Sequence, residues 1–123
     1  MIKMFLHSGD QVLTSEVSIH DISQLIKEPG HVLWVDVIDP TDQDFRTLED
    51  EFGFHPLAIE DATRRHQRAK FDAYDGYFFI AFYCLSENQT TGAIDAHQVS
   101  IFSGKGYLVT IHDGGLELFD ELK

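Results

Sequence analysis

Apolar and polar residues change their period several times along this chain, and each change marks an element. Residues 2–7 (IKMFLH) and 11–15 (QVLTS) are short runs of strand formers around Ser8-Gly9-Asp10, which predicts two strands and a turn. Ser18 with Asp21 three residues later reads as a capping box. Ile19, Ile22, Leu25 and Ile26 then share one helical face until Pro29-Gly30 ends it. Residues 31–38 (HVLWVDVI) are almost unbroken apolar and β-branched, the pattern of a central strand covered on both faces.

DPTDQDFRTLEDEFG is the clearest helix, with Asp39 expected to cap the first amides, Pro40 at the first helical position and Gly53 past the last turn. Phe45, Leu48 and Phe52 share its inner stripe, while Asp42, Asp44, Glu49 and Glu51 mostly face water. Carboxylates at its start complement the helix dipole; Asp50 and Glu51 at its end do not. His55-Pro56 opens a second short helix with Leu57 and Ile59 available to pack.

AKFDAY and YFFIAFYCL predict two strands joined at Asp75-Gly76, followed by a polar loop, ENQTTGAID. HQVSIF and YLVTIH, joined through Ser103-Gly104-Lys105-Gly106, complete an antiparallel meander. After Asp113-Gly114-Gly115, LELFDELK starts a helix with Leu116, Phe119 and Leu122 on one side and leaves it unfinished, as in a piece of a longer chain. Helices and strands alternate early and strands dominate late. The fold class is therefore α/β: one mixed sheet with an antiparallel C-terminal meander and helices packed on its faces.

At 123 residues the chain is one domain, long enough to bury a real core. Its 43% hydrophobic content, with ten Phe, fits a packed globule and not a disordered tail. Nine basic against 21 acidic residues leave a formal charge of −12, which repels nucleic acid and anionic lipid and favours cations. Cys84, the only cysteine, lies inside an apolar run and is expected to be a buried small hydrophobe; it can build neither a disulfide framework nor a thiolate cage. The N-terminus lacks the apolar core of a signal peptide, and the longest apolar run, 77–85, is far short of the ~20 residues of a membrane helix.

Seven histidines, His7, His20, His31, His55, His66, His97 and His112, are scattered with no HExxH and no pair at a metal-binding interval. No nucleophile elbow, phosphate loop or dinucleotide fingerprint occurs, so an enzyme reading has no positive support. The adjacent carboxylates Glu60 and Asp61 stand out because the charge then flips to Arg64, Arg65 and Arg68. Neighbouring residues on a helix point about 100° apart, so the two cannot chelate one ion as a flat pair. Two readings stay open from the residues alone. Both acids pair with the arginines one turn on, or one faces outward at a subunit boundary and shares a hard cation such as Mg2+ with another chain's acid.

The stretch HPLAIEDATRRHQRAKFDAYDGYFFI closely resembles the signature of the cytosolic N-terminal domain of CorA-type divalent-cation transporters: a His-Pro-Leu turn, an acidic pair, a basic stretch, an acidic-aromatic turn and an apolar strand. WVDVIDPTDQDFRTLEDEFG upstream and HQVSIFSGKGYLVTIHD downstream, with its Val-Thr-x-His ending, extend the likeness from Trp34 to Asp113 in order. Ala69 stands where the family usually has proline, which removes one backbone restraint before the strand.

The resemblance implies a regulatory, non-enzymatic domain spanning 1–123 and truncated before the stalk helix, the two transmembrane helices and the Gly-Met-Asn pore motif. In such proteins five subunits surround a pore in the cell membrane, with these domains in the cytoplasm, and divalent cations at acidic subunit boundaries favour the closed state. Carried over residue by residue, the metal-binding position is Asp61, with Glu60 beside it, and the partner acid comes from the neighbouring subunit's stalk. The ion implied is Mg2+, with Co2+ or Zn2+ as further candidates. The partners implied are neighbouring subunits of a homopentamer and divalent cations, with no nucleic acid, and with the membrane met only through the C-terminal part. The alternatives are a ZntB-like zinc transporter domain and a stand-alone acidic module that binds another protein.

Overall fold

A computed structural model describes residues 1–8, 11–14, 21–25, 27, 30–64 and 68–114. The elements are β1 (Ile2–Ser8), β2 (Gln11–Thr14), α1 (Ile22–Leu25), β3 (His31–Ile38), α2 (Asp42–Phe52), α3 (Pro56–Thr63), β4 (Lys70–Tyr74), β5 (Tyr77–Glu87), β6 (Ile94–Gly104) and β7 (Tyr107–His112). The seven strands form one sheet in the order β2-β1-β3-β7-β6-β5-β4. Only β3 and β7 run parallel; every other neighbour is antiparallel, so the sheet is mixed, as expected. The Ser18 cap, Ile19, Ile26, Pro29, Arg65 and the LELFDELK helix lie outside the described residues.

The near-continuous apolar run of β3 puts it at the centre, where every residue from Leu33 to Ile38 is buried. Side chains alternate across a strand. Leu33, Val35 and Val37 join Met4, Phe79, Ala81, Phe102, Val109 and Ile111 on one face, packed under Ile22, Phe45, Leu48, Phe54, Ala58, Ile59 and Ala62 of the helical side. The other face carries Trp34, Asp36, Thr110 and His112, also buried, and at the β4–β5 end the exposed stacked pair Phe71–Phe78, 5.2 Å apart.

Several local expectations are corrected. The cap of α2 is Thr41, not Asp39: Asp39 takes a left-handed conformation (φ 47°) that redirects the chain out of β3. Thr41 is then extended, with its hydroxyl accepting the Asp44 amide and the Asp44 carboxylate accepting the Thr41 amide. Burial would raise the Asp44 carboxyl, but the hydrogen bond from the Thr41 amide and the N-terminal ammonium 3.1 Å away outweigh it and hold it below its usual range. Leu57 points outward, and Ala58, Ile59 and Ala62 are the residues of α3 that pack. Cys84 is half-buried, not buried, at the less covered end of β5. The polar loop is shorter than predicted, because β5 continues to Glu87 and the Asn88 side chain closes a tight turn by accepting the amides of Thr90 and Thr91.

Gly104 is the last residue of β6, opposite Tyr107, and the turn itself is Lys105-Gly106. The Tyr107 side chain packs against Gly104, and a Cβ there would clash with its Cζ, hydroxyl and Cε1 atoms. Gly104→Ala is expected to destabilise the domain by about 1–3 kcal/mol through overpacking; an unchanged urea midpoint would contradict this. Burial, with the Tyr77 phenol nearby, pushes the Tyr107 hydroxyl up to about 12. A raised folded-state value contributes stability that is present below the unfolded value of 10.0 and disappears as pH climbs through about 12. Tyr107→Phe should therefore flatten the fall in thermal stability across that alkaline window.

Candidate functional site

The His55-Pro56 start of α3 is built from several contacts. His55 Nδ1 accepts the Leu57 amide at 3.1 Å, its own amide donates to the Tyr77 hydroxyl at 2.8 Å, and Pro56 occupies the first helical position. This anchors α3 against β5, and the packing of Ala58, Ile59 and Ala62 fixes its rotation. The two carboxylates at its far end consequently meet different surroundings.

Glu60 is 56% exposed and pairs with Arg64, Oε1 to Nη2 at 3.1 Å, one turn on. Asp61 turns toward the sheet, 15% exposed, and its Oδ2 accepts from Lys70 Nζ at 2.6 Å. Arg64 Nη1 stands 3.9 Å from the other oxygen, Oδ1. Lys70, the first residue of β4, also reaches Asp72 Oδ2 at 3.0 Å, and its ammonium lies 5.9 Å from the centre of the Phe79 ring. The hydrogen bond to Asp61, then that to Asp72, raises the Lys70 ammonium above its ordinary value, so it is charged throughout the neutral range.

Of the arginines expected to balance the acidic pair, Arg64 does so for Glu60. Among the described residues the closest partner of Asp61 is Lys70, nine residues away, which sequence reasoning missed. Its signal was present as the lysine ending the basic stretch, but nothing in a helix-based spacing rule brings a residue of the next strand back to α3.

A second polar cluster was missed. Trp34 Nε1 donates to Thr110 Oγ1 at 2.8 Å, that hydroxyl donates to Asp36 Oδ1 at 2.8 Å, and His112 Nε2 meets the same oxygen at 2.7 Å. His112 Nδ1 faces the Asp113 carbonyl at 2.6 Å, and a carbonyl only accepts, so the proton is on the nitrogen there. All four side chains are buried. The signal was an acid within an apolar strand run, since a buried carboxylate requires hydrogen-bonded company.

At the C-terminal ends of the parallel pair β3 and β7 opens a cavity of about 320 Å3, lined among others by Asp39, Asp42, Arg64, Gln98, His112 and Asp113. Of its lining residues, Asp113 places Oδ1 3.0 Å from His97 Nδ1, and His97 Nε2 lies 2.7 Å from Ser86 Oγ. The order of contacts is that of a nucleophilic triad, but Asp113 is half-exposed and Ser86 sits in a strand, without the sharp turn that lifts a nucleophile clear of its backbone. Among the described residues no group of three or more His, Cys, Asp or Glu is placed to hold a metal. Thr110→Val should cost about 1–3 kcal/mol by removing the hydroxyl that accepts the Trp34 N–H and donates to Asp36. Thr110→Ser should restore most of it, as read by denaturant unfolding.

Comparison with known proteins agrees with this arrangement. The family described as CorA-like Mg2+ transporter protein matches residues 29–123. YfjQ of Bacillus subtilis, designated a metal ion transporter, is 42% identical over 79 residues, covering 64% of this chain and 24% of its own length. The cobalt/magnesium transport protein CorA of Thermotoga maritima is 28% identical over 72 residues, covering 58% of this chain and 20% of its own length. The chain thus spans a quarter or less of these relatives. The soluble domain of CorA from Methanocaldococcus jannaschii superposes on 99% of this chain and 44% of its own with a TM-score of 0.69 at 16% identity, a likeness of fold. No helix among the described residues is long and apolar enough to cross a membrane. Strands β3 to β7, the proline-started helix and the acidic pair fall within the span of that family match, and the chain belongs to the CorA-like Mg2+ transporter family.

Proposed function

We propose that residues 1–123 are the N-terminal cytosolic domain of a divalent-cation transporter, preceding a stalk and two membrane helices, and that the domain senses Mg2+ between subunits of a pentamer. The observation that carries this reading is the setting of Asp61. Among the described residues it meets the side chains of Lys70 and Arg64, which are 32% and 60% exposed. Carboxylate oxygens are the donors a hard dication takes, and Mg2+ retains several waters while binding one or two protein carboxylates. Asp61, with Glu60 beside it, fits one half of such a shared site, and the described residues of one chain do not complete it. The affinity of a single chain is accordingly weak, and a second subunit's acid raises it.

Ions that bind only the packed arrangement of subunits shift the population toward it. When they leave, chains each carrying −12 repel, over a range that salt limits to about 10 Å. Co2+ would occupy the same oxygens. Removal of one carboxylate charge tests the assignment in the full-length transporter: Asp61→Asn should raise severalfold the cytosolic Mg2+ concentration that half-inhibits uptake into proteoliposomes, with circular dichroism unchanged. An unaltered inhibition midpoint would remove Asp61 from the sensing site.

A further inference from the structure

We infer that the cavity at the C-terminal ends of β3 and β7 binds a small organic ammonium ion whose other end is neutral and hydrogen-bonding, an amino alcohol being the simplest case. Asp61 plays no part in it. The volume of about 320 Å3 stands at the lower end of the roughly 300–1,000 Å3 of small-ligand sites. The cavity also opens where α/β sheets commonly take ligands, outside the carboxyl ends of parallel strands.

Ser100 of β6 lines the cavity and is 2% exposed, which puts it at the closed end. Two residues before the core residue Phe102, it points to the same side of the sheet, the side that the helices cover. Among the described residues none hydrogen-bonds its hydroxyl, although a buried hydroxyl without a partner costs free energy. Phe45, Ala62 and Ile111, all buried, supply apolar walls. An alkyl chain suits those walls, and a hydroxyl at its end gives Ser100 a partner. A charged end is excluded there by the cost of burial.

The mouth has the opposite character. Asp39 and Asp42 line it, both exposed, at the turn out of β3 and at the first residue of α2. Asp39 uses Oδ1 to accept the Gly114 amide at 3.1 Å, and a carboxylate accepts several hydrogen bonds. Asp113, 3.0 Å from His97, adds a third negative charge, while Arg64 is paired with Glu60 at 3.1 Å. The α2 dipole opposes a cation here, but it amounts to about half a unit of charge, which the carboxylates outweigh. A bare metal does not suit the mouth, because among the described residues no three ligating groups converge. An ammonium donates its hydrogen bonds to separate acceptors and needs no such cage.

Saturation-transfer NMR on the full-length transporter in detergent tests the site. The probes are aminobutanol, with ammonium and hydroxyl at opposite ends, and butylamine and butanol, which keep one end each. Aminobutanol should bind severalfold more tightly than either. Ser100→Ala removes the hydroxyl and leaves the walls intact. It should weaken aminobutanol about fivefold, the worth of one hydrogen bond, and leave butylamine unchanged. Asp42→Asn, outside the Thr41–Asp44 capping pair, should weaken both amines about two- to fivefold and leave butanol unchanged. Asp50→Asn removes the same charge at the other end of α2 and should change nothing. No saturation transfer to aminobutanol, or an affinity for it that neither Ser100→Ala nor Asp42→Asn alters, overturns the site. A loss in Asp50→Asn equal to that in Asp42→Asn reduces the effect to diffuse net charge and overturns it as well.

Discussion

The parallel pairing of β3 with β7 is the constraint on which the rest depends. Without it the chain is two antiparallel ribbons, β2-β1-β3 and β7-β6-β5-β4, each with one apolar face and no means of burying it. The pairing joins residues more than 70 positions apart, as the Thr110–Asp36 contact between residues separated by 74 shows. Closing such a loop costs conformational entropy that local structure cannot repay. On one face the repayment is apolar, as Val35 and Val37 meet Val109 and Ile111 beneath the helices. On the other it is polar: Asp36, Thr110, His112 and Trp34 stitch the same two strands with buried hydrogen bonds. Aliphatic side chains there would tolerate a slip of register, whereas the Asp36–His112 contact does not.

The same junction sets the position of the acidic pair. Because β7 occupies the place beside β3, α2 and α3 must cross the sheet before β4 can begin at its far edge, and α3 runs from Tyr77 of β5, which accepts the His55 amide, to Lys70 of β4 and Gln98 of β6 at its C-terminal end. That crossing brings Lys70 under Asp61. One carboxylate of the Glu60-Asp61 pair is then turned to the sheet and matched with a strand lysine, while the other faces solvent with a helical arginine. Two adjacent acids of the same sequence motif thus acquire different chemistry through a rotation of about 100° along the helix. A carboxylate neutralised by long, exposed cationic side chains can exchange one cation for another at little structural cost.

Much of the fold was legible because its signals are local. β3 announced itself by unbroken β-branched and apolar residues, α3 by His55-Pro56, the end of α2 by Gly53, and the β4–β5 hairpin by Asp75-Gly76. Errors fell where a backbone turn decided the outcome. Asp39 had the composition of a cap but was spent on a left-handed turn, whose carboxylate instead accepts the Gly114 amide at 3.1 Å. Leu57 had the composition of a core residue but fell on the outer side of a helix only eight residues long.

The amino-acid order alone determined the alternation of elements, the mixed α/β class, the acidic excess and the presence of two neighbouring carboxylates before a basic stretch, because each is a property of residues close together in the chain. Tertiary structure alone decided which carboxylate faces which cation, that Lys70 of one strand answers Asp61 of a helix, and that Asp36 and His112 meet at 2.7 Å. These pairings lie between elements, and their strength depends on distance and on exclusion of water, neither of which exists until the sheet has closed.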